Sequence, residues 1–382
     1  MPPKKPHYTE SLLATDTEKF ATSKSLYGDS AARVSSNVWN IHDRVRHQAY
    51  EALFRRIKGK TLLHLHCGMG LYSLLAARAG AKHVVAVDTS CILDATREVA
   101  RENKIQNITF LRGHIREVLE ELPFKKFDII LCEWMGAFLV NEPVLSDVLF
   151  ARDELLAEGG VLCPNKTSIH VVGVSDYYFR LDTEDYWSNV YGFQMSAMKE
   201  LVRREVETCA IPSCNIVTNT CLAHTIQLEE LEKITAEEHK AYEAAAATSL
   251  AQREKQNPIE LSNIPCGAAQ KGVEAPFAIV ATRDATVNYL TFYVDAIFTS
   301  PVDVGANFMI SVRPGGRNAW TEVSVGLQTP LPVKAGESIV GTFSAHTPNE
   351  GNGKKTIVRV NCKTEGKVTA VETSGEYIYQ NY

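Results

Sequence analysis

Three features are scarce or missing in this sequence: paired cysteines, a long apolar run and an excess of basic charge. The nine cysteines are an odd number and form no Cys-x-x-Cys pair, which argues against a disulfide framework and against a zinc site. No run approaches the roughly eighteen apolar residues of a membrane span, and no apolar stretch follows the lysines of MPPKKPHYTE, so we expect neither a span nor a signal peptide. We therefore expect a cytoplasmic protein with reduced, mostly buried cysteines and no bound metal.

Length and composition indicate an ordinary globular protein with more than one domain. The chain has 382 residues, of which 45% are hydrophobic and 22% are charged, so it can build a sizeable core. The formal net charge of -5 provides no overall basic field that would attract nucleic acid.

The first half of the chain alternates strand and helix patterns, which predicts a parallel, doubly wound α/β sheet. The predicted elements are a helix at 38–58, a strand at 61–65, a helix at 71–79, a strand at 83–88, a helix at 92–103, a strand at 108–113, a short helix at 115–122 and a strand at 127–133.

From about Pro164 the pattern changes to alternating strands, such as 168–174, 287–298 and 355–362, which predicts an antiparallel β domain. The expected organisation is a flexible segment at 1–26, an α/β domain at 27–163 and a β domain at 164–382. An aromatic-rich insertion lies at 182–215. A charged, Ala-rich insertion at 227–256 predicts a long exposed helix, which is either a solvated face or a docking surface.

The stretch LLHLHCGMGLYSLLAARAG (62–80) joins a strand, a Gly-containing turn and a helix. Such a turn lets the backbone approach a nucleoside cofactor, and an acid about twenty residues later binds the ribose hydroxyls. Asp88 ends the next strand and suits that role.

In this unit, in CEWMGAFLVNEPVLSDVLFARDELL and in YWSNVYGFQMS, the sequence resembles the protein arginine N-methyltransferases, from about Tyr27 to the C-terminus. The resemblance implies a doubly wound S-adenosylmethionine methyltransferase domain, followed by an antiparallel β-barrel-like domain with a helical dimerisation arm. It also implies that Arg46 pairs with the cofactor carboxylate, and that Glu133 and Glu142 hold the target guanidinium. In a chain without a cofactor pocket, these two acids would be vestigial and would act as hydrogen-bond acceptors that organise their loop. Gly68, Gly70 and Asp88 match the family pattern as well.

Other positions depart from that pattern, and each departure is expected to remove a different cofactor or substrate contact. An imidazole at the first turn glycine fills space that the cofactor needs; an arginine replaces the acid that receives the adenine amino group, so a donor faces a donor. Two of three lid aromatics and a histidine beside the substrate are also missing. The departing positions are His64, His66 and Met69 in the turn, Gly28 and Ala31 in the lid, Arg116 after the third strand and Ala319 near the C-terminus.

The family's arm grips the cofactor domain of a second subunit, and the matching segment here carries many large apolar side chains. These would either pack on their own subunit or form a subunit interface, and aromatics and Met favour the interface. The expected interface residues are Tyr186, Trp187, Val190, Tyr191, Phe193 and Met195.

The losses resemble those of the family's prozyme type in kinetoplastids, a paralogue that a catalytic subunit needs for activity. We therefore predict that the chain is not an enzyme and binds no cofactor. It would be the non-catalytic subunit of a heterodimer, paired into a heterotetramer, in which the catalytic paralogue binds S-adenosylmethionine and methylates Arg/Gly-rich, often RNA-binding, proteins. Two alternatives stay open: a drifted but working turn in a weak methyltransferase, and an adaptor that presents Arg/Gly-rich substrates through Glu133 and Glu142.

Overall fold

The protein is described by a computed structural model that covers residues 34–135, 138, 142–233, 235, 237, 240, 272–300, 304–311, 313–315, 322–346, 355–366 and 370–380. Within these residues the chain divides into two compact units. The first comprises 34–133, 147–165 and 298–309, and the second comprises the rest. The predicted boundary at 163/164 therefore does not coincide with the division, because 134–146 group with the second unit and 298–309 return to the first.

The first unit contains a five-stranded sheet in the order β3-β2-β1-β4-β5, and its strands pair in parallel. It confirms the doubly wound α/β class. The elements that build it are α1 (Val34–His42), α2 (Arg44–Phe54), β1 (Thr61–Leu65), α3 (Leu71–Arg78), β2 (His83–Asp88), α4 (Ile92–Glu102), β3 (Ile108–Arg112), β4 (Phe127–Cys132), α5 (Glu142–Glu154) and β5 (Leu156–Cys163).

Two local predictions for this unit are wrong. The single helix predicted at 38–58 is broken at Asp43, whose side chain caps α2 by accepting a hydrogen bond from the Arg46 backbone N–H at 3.0 Å. The short helix predicted at 115–122 is only a 3₁₀ turn at Leu119–Glu121. In both places an apolar spacing suited to a helix was overridden by a local turn or cap.

The central strands of the first unit are buried, as is usual in parallel sheets, whereas β3 and β5 at the edges have exposed positions. All positions of β1 are buried, and so are those of β2 after His83. One core cluster packs Cys67, Ala86, Leu93, Ala100 and Phe110 together beneath α4. This cluster packs the turn after β1 against β2, β3 and α4, next to the candidate site.

The second unit is built from antiparallel strands in two sheets, as the alternating pattern predicted. A six-stranded sheet has the order β7-β12-β10-β6-β8 with β11 beside β10, and a four-stranded sheet has the order β15-β14-β13-β9. The elements are β6 (Lys166–Val174), α6 (Tyr177–Thr183), α7 (Ser196–Val202), β7 (Val206–Thr208), β8 (Cys221–Gln227), β9 (Val273–Val280), β10 (Ala285–Phe298), β11 (Phe308–Ser311), β12 (Val323–Val333), β13 (Ser338–His346), β14 (Lys355–Glu365) and β15 (Glu372–Gln380).

The burial of β9 alternates strictly between buried and exposed residues, so one face of the strand packs inward. The predicted helix at 227–256 lies mostly outside the described residues; its first part forms a 3₁₀ turn at Leu228–Glu230. Among the described residues, no helix has the length and apolar character needed to cross a membrane.

Candidate functional site

The candidate site lies at the carboxyl ends of the parallel strands, in the crevice where open α/β sheets bind ligands. We call this region the carboxyl edge; it consists of the turn 66–70 after β1, Asp88 at the end of β2, His114 after β3 and Glu133 after β4. The sheet order reverses direction between β1 and β4. The turn and Glu133 therefore face each other across the switch point.

The turn has the backbone shape of a glycine-rich turn, although one of its positions is histidine. Gly68 and Gly70 have φ of 53° and 66°, and His66 has φ of 50°. A side chain in this left-handed region costs roughly 1–2 kcal/mol. At Gly70 a Cβ would also lie 2.8 Å from the Thr96 Cγ2. The histidine that replaces the family glycine has thus kept the backbone conformation that glycine favours.

The His66 imidazole is held by a buried acid on α5. Its Nε2 lies 2.9 Å from the Asp147 Oδ2, and the His114 Nδ1 lies 3.8 Å from the same oxygen. Burial alone would lower the pKa of His66, but the hydrogen bond and charge of Asp147, with the charge of Asp88, outweigh it and raise that pKa. Burial acts to raise the pKa of Asp147, but the two imidazoles lower it. The pair is therefore a histidine–carboxylate bridge between the turn and α5.

His64 stands where the family has a carboxylate, but its own side chain is uncharged at neutral pH. Its Nδ1 lies 2.7 Å from the Ser73 Oγ on α3, and burial, then the charges of His66 and Arg46, lower its pKa to about 3. A neutral imidazole thus connects β1 to α3 at neutral pH. Met69 lines the site, and its backbone oxygen accepts a hydrogen bond from the Thr96 hydroxyl at 3.0 Å.

Asp88, the acid expected to bind ribose hydroxyls, organises the turn itself. Its Oδ2 accepts from the Gly68 backbone N–H at 2.7 Å, and its Oδ1 accepts from the Ser90 backbone N–H at 2.8 Å. Because a carboxylate has about four lone pairs, two acceptor sites are left over for a ligand. The ribose-binding role of Asp88 stays a prediction.

Arg46 and Glu133 bind each other. Both match the family pattern, but Arg46 was predicted to bind the cofactor carboxylate and Glu133 the target guanidinium. The Arg46 Nε donates to the Glu133 Oε1 at 2.6 Å, and a terminal nitrogen of Arg46 donates to the Oε2. The Tyr50 hydroxyl donates to the Oε1 at 3.0 Å, and the Asn40 Oδ1 accepts from Arg46 at 2.9 Å. Burial acts to lower the pKa of Arg46, but Glu133 outweighs it and raises that pKa. Glu133 is thus shown to accept a guanidinium with two-pronged geometry.

The cavity at the carboxyl edge has a volume of about 100 Å³. Ligand sites for drug-sized molecules commonly measure about 300–1,000 Å³. Its lining includes Arg46, His66, Met69, Tyr72 and Glu133. The cavity is thus smaller than a typical ligand site, and two groups limit its size: Arg46 is engaged by Glu133, and the His66 ring lies in the turn.

Arg116, predicted to face the adenine, stacks on an aromatic ring of its own unit. Its guanidinium carbon lies 4.6 Å from the centroid of the Phe150 ring, within cation–π range. The predicted lid and C-terminal positions, Gly28, Ala31 and Ala319, lie outside the described residues. Glu142 begins α5, but its side chain lies outside them too.

Sequence reasoning missed the partners at the carboxyl edge: Asn40, Tyr50, His114, Asp147 and Phe150. Asp147 lies 81 residues from His66, and Glu133 lies 87 residues from Arg46. Spacing rules act over one or two turns of helix or strand, so they carry no signal for such pairs. The one local hint is that Asp147 lies within the largely apolar stretch VLSDVLFA (144–151).

In the second unit, the predicted interface residues lie between α6 and α7. We call the segment that includes both helices the arm (Tyr177–Val202). Its tip is a two-residue turn: Tyr191 and Gly192 have φ of 51° and 92°, and the Val190 and Phe193 backbones exchange hydrogen bonds at 2.9 and 3.0 Å. Positive φ at both central residues is typical of a type I′ turn.

The tip exposes its aromatic residues. Tyr191 is 94% exposed, Phe193 72% and Tyr186 48%, whereas Trp187, Val190 and Met195 are partly buried. Two further exposed aromatics, Tyr177 at 64% and Tyr178 at 78%, precede the predicted start of the arm at 182. The arm thus presents more apolar surface than the sequence pattern indicated.

A buried carboxylate fixes the base of the arm. Glu184 is 4% exposed, and its Oε2 lies 3.0 Å from the Arg203 Nε and 3.2 Å from an Arg180 nitrogen. Lys199 binds Asp185 at 2.6 Å. These pairs connect both ends of the arm, so the exposed tip is carried on an ordered support.

The fold and the carboxyl edge are those of a methyltransferase domain, since residues 62–160 match the family model of that domain. Residues 165–367 match the model of the arginine methyltransferase oligomerization subdomain, more than half of the chain. The chain therefore belongs to the protein arginine methyltransferase family.

Named relatives extend over nearly the whole chain. Protein arginine N-methyltransferase 1.1 of Arabidopsis thaliana is 30% identical over 96% of this chain and 85% of its own length. Protein arginine N-methyltransferase 1 of Saccharomyces cerevisiae is 28% identical over 96% of this chain and 97% of its own. Among solved structures, a chain of the Trypanosoma brucei PRMT1 enzyme-prozyme heterotetrameric complex with AdoHcy is 48% identical, with a TM-score of 0.79, over 92% of this chain and all of that one.

These relatives contradict the prediction that the chain is not an enzyme, because proteins similar over almost its full length are named as methyltransferases. The physical reason for the error lies in the weight given to a few substitutions. His66 keeps the turn conformation, Asp88 still orders the turn, and Glu133 still accepts a guanidinium. Losses counted one by one in the sequence do not establish loss of the reaction.

Proposed function

We propose that this chain is a prozyme-type, activating subunit of a heteromeric protein arginine methyltransferase. It pairs through its arm with a paralogue, and the pairing supports methyl transfer to protein arginines by that paralogue. The observation that carries the proposal is the ordered arm whose tip exposes 94% of Tyr191 and 72% of Phe193. Such surface favours a partner, since aromatics dominate interface energetics.

The likeness to a subunit of an enzyme-prozyme heterotetramer supports the choice of a paralogue as that partner. By analogy we propose a heterodimer that pairs into a heterotetramer. The Glu133–guanidinium geometry supports arginine as the substrate class of the complex.

For the cofactor, we propose that S-adenosylmethionine binds more tightly to the paralogue than to this chain. The small cavity and the engaged Arg46 support this difference. Four positions are proposed to weaken cofactor binding by this chain, because their side chains make contacts within the unit or line the cavity. They are His64, His66, Met69 and Arg116.

Methyl transfer by this chain itself is a second candidate function. It is favoured by the guanidinium-accepting Glu133, by the intact backbone shape of the turn and by the names of the relatives. It requires Arg46 and Glu133 to separate, since each engages the other in this structure.

A three-sample assay tests both candidates. Methyl transfer from labelled S-adenosylmethionine to an Arg/Gly-rich peptide would be measured for this chain, for the paralogue from the same organism and for their equimolar mixture. The proposal predicts a mixture at least about tenfold more active than the sum of the separate samples, because pairing orders the paralogue. A mixture equal to that sum would refute it. Transfer by this chain alone would establish the second candidate.

A further inference from the structure

One guanidinium already occupies the carboxylate that would receive a target arginine. We infer that Arg46 is an internal competitor for Glu133, so that a substrate arginine reaches this carboxylate only after Arg46 has left it. The inference rests on the proposed function for its substrate class, and it concerns regulation of that same site. Both residues belong to the first unit, and α2 carries Arg46 to the end of β4.

Both carboxylate oxygens of Glu133 already accept hydrogen bonds from one guanidinium. Arg46 uses both carboxylate oxygens through its Nε and one terminal nitrogen, and the Tyr50 hydroxyl takes a further lone pair of the Oε1. A carboxylate has about four lone pairs, and a two-pronged guanidinium contact requires one on each oxygen in a common plane. A second guanidinium therefore cannot form the same contact while Arg46 stays.

Neighbouring groups hold Arg46 in this position. The Asn40 side chain accepts a third hydrogen bond at 2.9 Å, and the Asp43 side chain fixes the Arg46 backbone at the start of α2. Arg46 is 4% exposed and Tyr50 is fully buried, whereas 18% of the Glu133 side chain is exposed, so water reaches the pair mainly from the side of the carboxylate. Hydrogen bonds between charged groups are about twice as strong as neutral ones, and they strengthen further away from water.

The test measures binding of a small guanidinium ligand to the full-length chain. The probe is acetyl-Gly-Arg-Gly-amide, titrated by calorimetry into wild type and into Arg46→Gln. Removing the competitor should tighten binding by on the order of tenfold or more, as expected from the loss of a charge-assisted pair. Arg101→Gln is the matched control, because Arg101 pairs with Glu98 on the exposed face of α4. Its affinity should equal that of wild type.

The site of binding is checked separately. Glu133→Gln added to Arg46→Gln should abolish the gain; a retained gain would place the peptide elsewhere and overturn the inference. Equal affinity of wild type and Arg46→Gln would overturn it as well.

Should Arg46→Gln fail to fold, the wild-type chain still decides the matter by nuclear magnetic resonance. The Arg46 Hε, assigned in the wild-type chain by its proximity to Tyr50, should exchange slowly with solvent, and excess peptide should speed that exchange by displacing Arg46 from Glu133. Fast exchange in the free chain, or exchange that the peptide leaves unchanged, would overturn the inference. Failure here leaves the proposed subunit role untouched, since that role is tested by stimulation of the paralogue.

Discussion

Removal of the aromatic side chains at the tip of the arm should weaken pairing with the paralogue and should not lower the stability of the isolated chain. The structure permits a change that leaves the turn intact: Tyr191 occupies the first central position of a turn with positive φ, and Asn-Gly is a preferred pair for such a turn. Tyr191→Asn combined with Phe193→Ala should therefore keep or slightly raise the melting temperature of the isolated chain. It removes two side chains that are 94% and 72% exposed in the isolated chain.

The expected effect on pairing is large. Aromatic residues near the centre of an interface contribute about 2 kcal/mol or more each, so the double change should weaken pairing by about 4 kcal/mol. That corresponds to roughly a thousandfold in Kd. Trp187 is a poorer target because its side chain is partly buried, so its removal would also disturb packing within the arm.

Size-exclusion chromatography with light scattering would measure the mass of an equimolar mixture with the paralogue at micromolar concentration. The variant should elute as separate subunits, and raising the concentration should restore the complex and its methylation activity. Leu222→Ala, which alters an exposed apolar residue on β8, is the control and should leave the complex intact. An intact complex of the double variant at the same concentration would show that the tip is not the interface.

Two further predictions concern the carboxyl edge. Because the pKa of His66 is raised, its contact with Asp147 stabilises the fold fully below the unfolded pKa of about 6.5, and this contribution is lost as pH rises through the folded-state pKa. The stability difference between wild type and His66→Gln in urea unfolding should thus shrink from pH 6 to pH 9; a growing difference would refute the assignment. Gly70→Ala should destabilise the chain by about 1–3 kcal/mol, and more than Gly59→Ala, because both have positive φ but only Gly70 lacks room for a Cβ. Equal melting temperatures would contradict this.

Much of the fold could be predicted from the sequence because its signals are local. The strands at Thr61–Leu65 and His83–Asp88 carry continuous apolar runs, and the structure places them where the pattern did. The change to alternation after Pro164 correctly indicated antiparallel sheets. The errors at Asp43 and at 115–122 arose where a cap or a 3₁₀ turn competed with an equally good helical spacing.

The site could be predicted only in part. The family resemblance pointed to Arg46, Asp88, Glu133 and His66, but it assigned each of the first three to an external ligand. The structure instead shows Arg46 bound to Glu133 and Asp88 bound to the turn backbone. The identity of one residue does not show which distant group its charged side chain will bind. The partner depends on how deeply the side chain is buried and on which other polar groups are buried beside it.

The most direct test of the subunit role is the affinity of the paralogue for S-adenosylmethionine, measured by calorimetry with and without this chain at saturating concentration. The proposal predicts that the wild-type chain lowers the Kd of the paralogue's site by about tenfold or more, because the arm orders the helices around it, and that the tip variant at the same concentration does not. An unchanged Kd in the presence of the bound wild-type chain would contradict the proposal that pairing activates the paralogue by ordering its cofactor site.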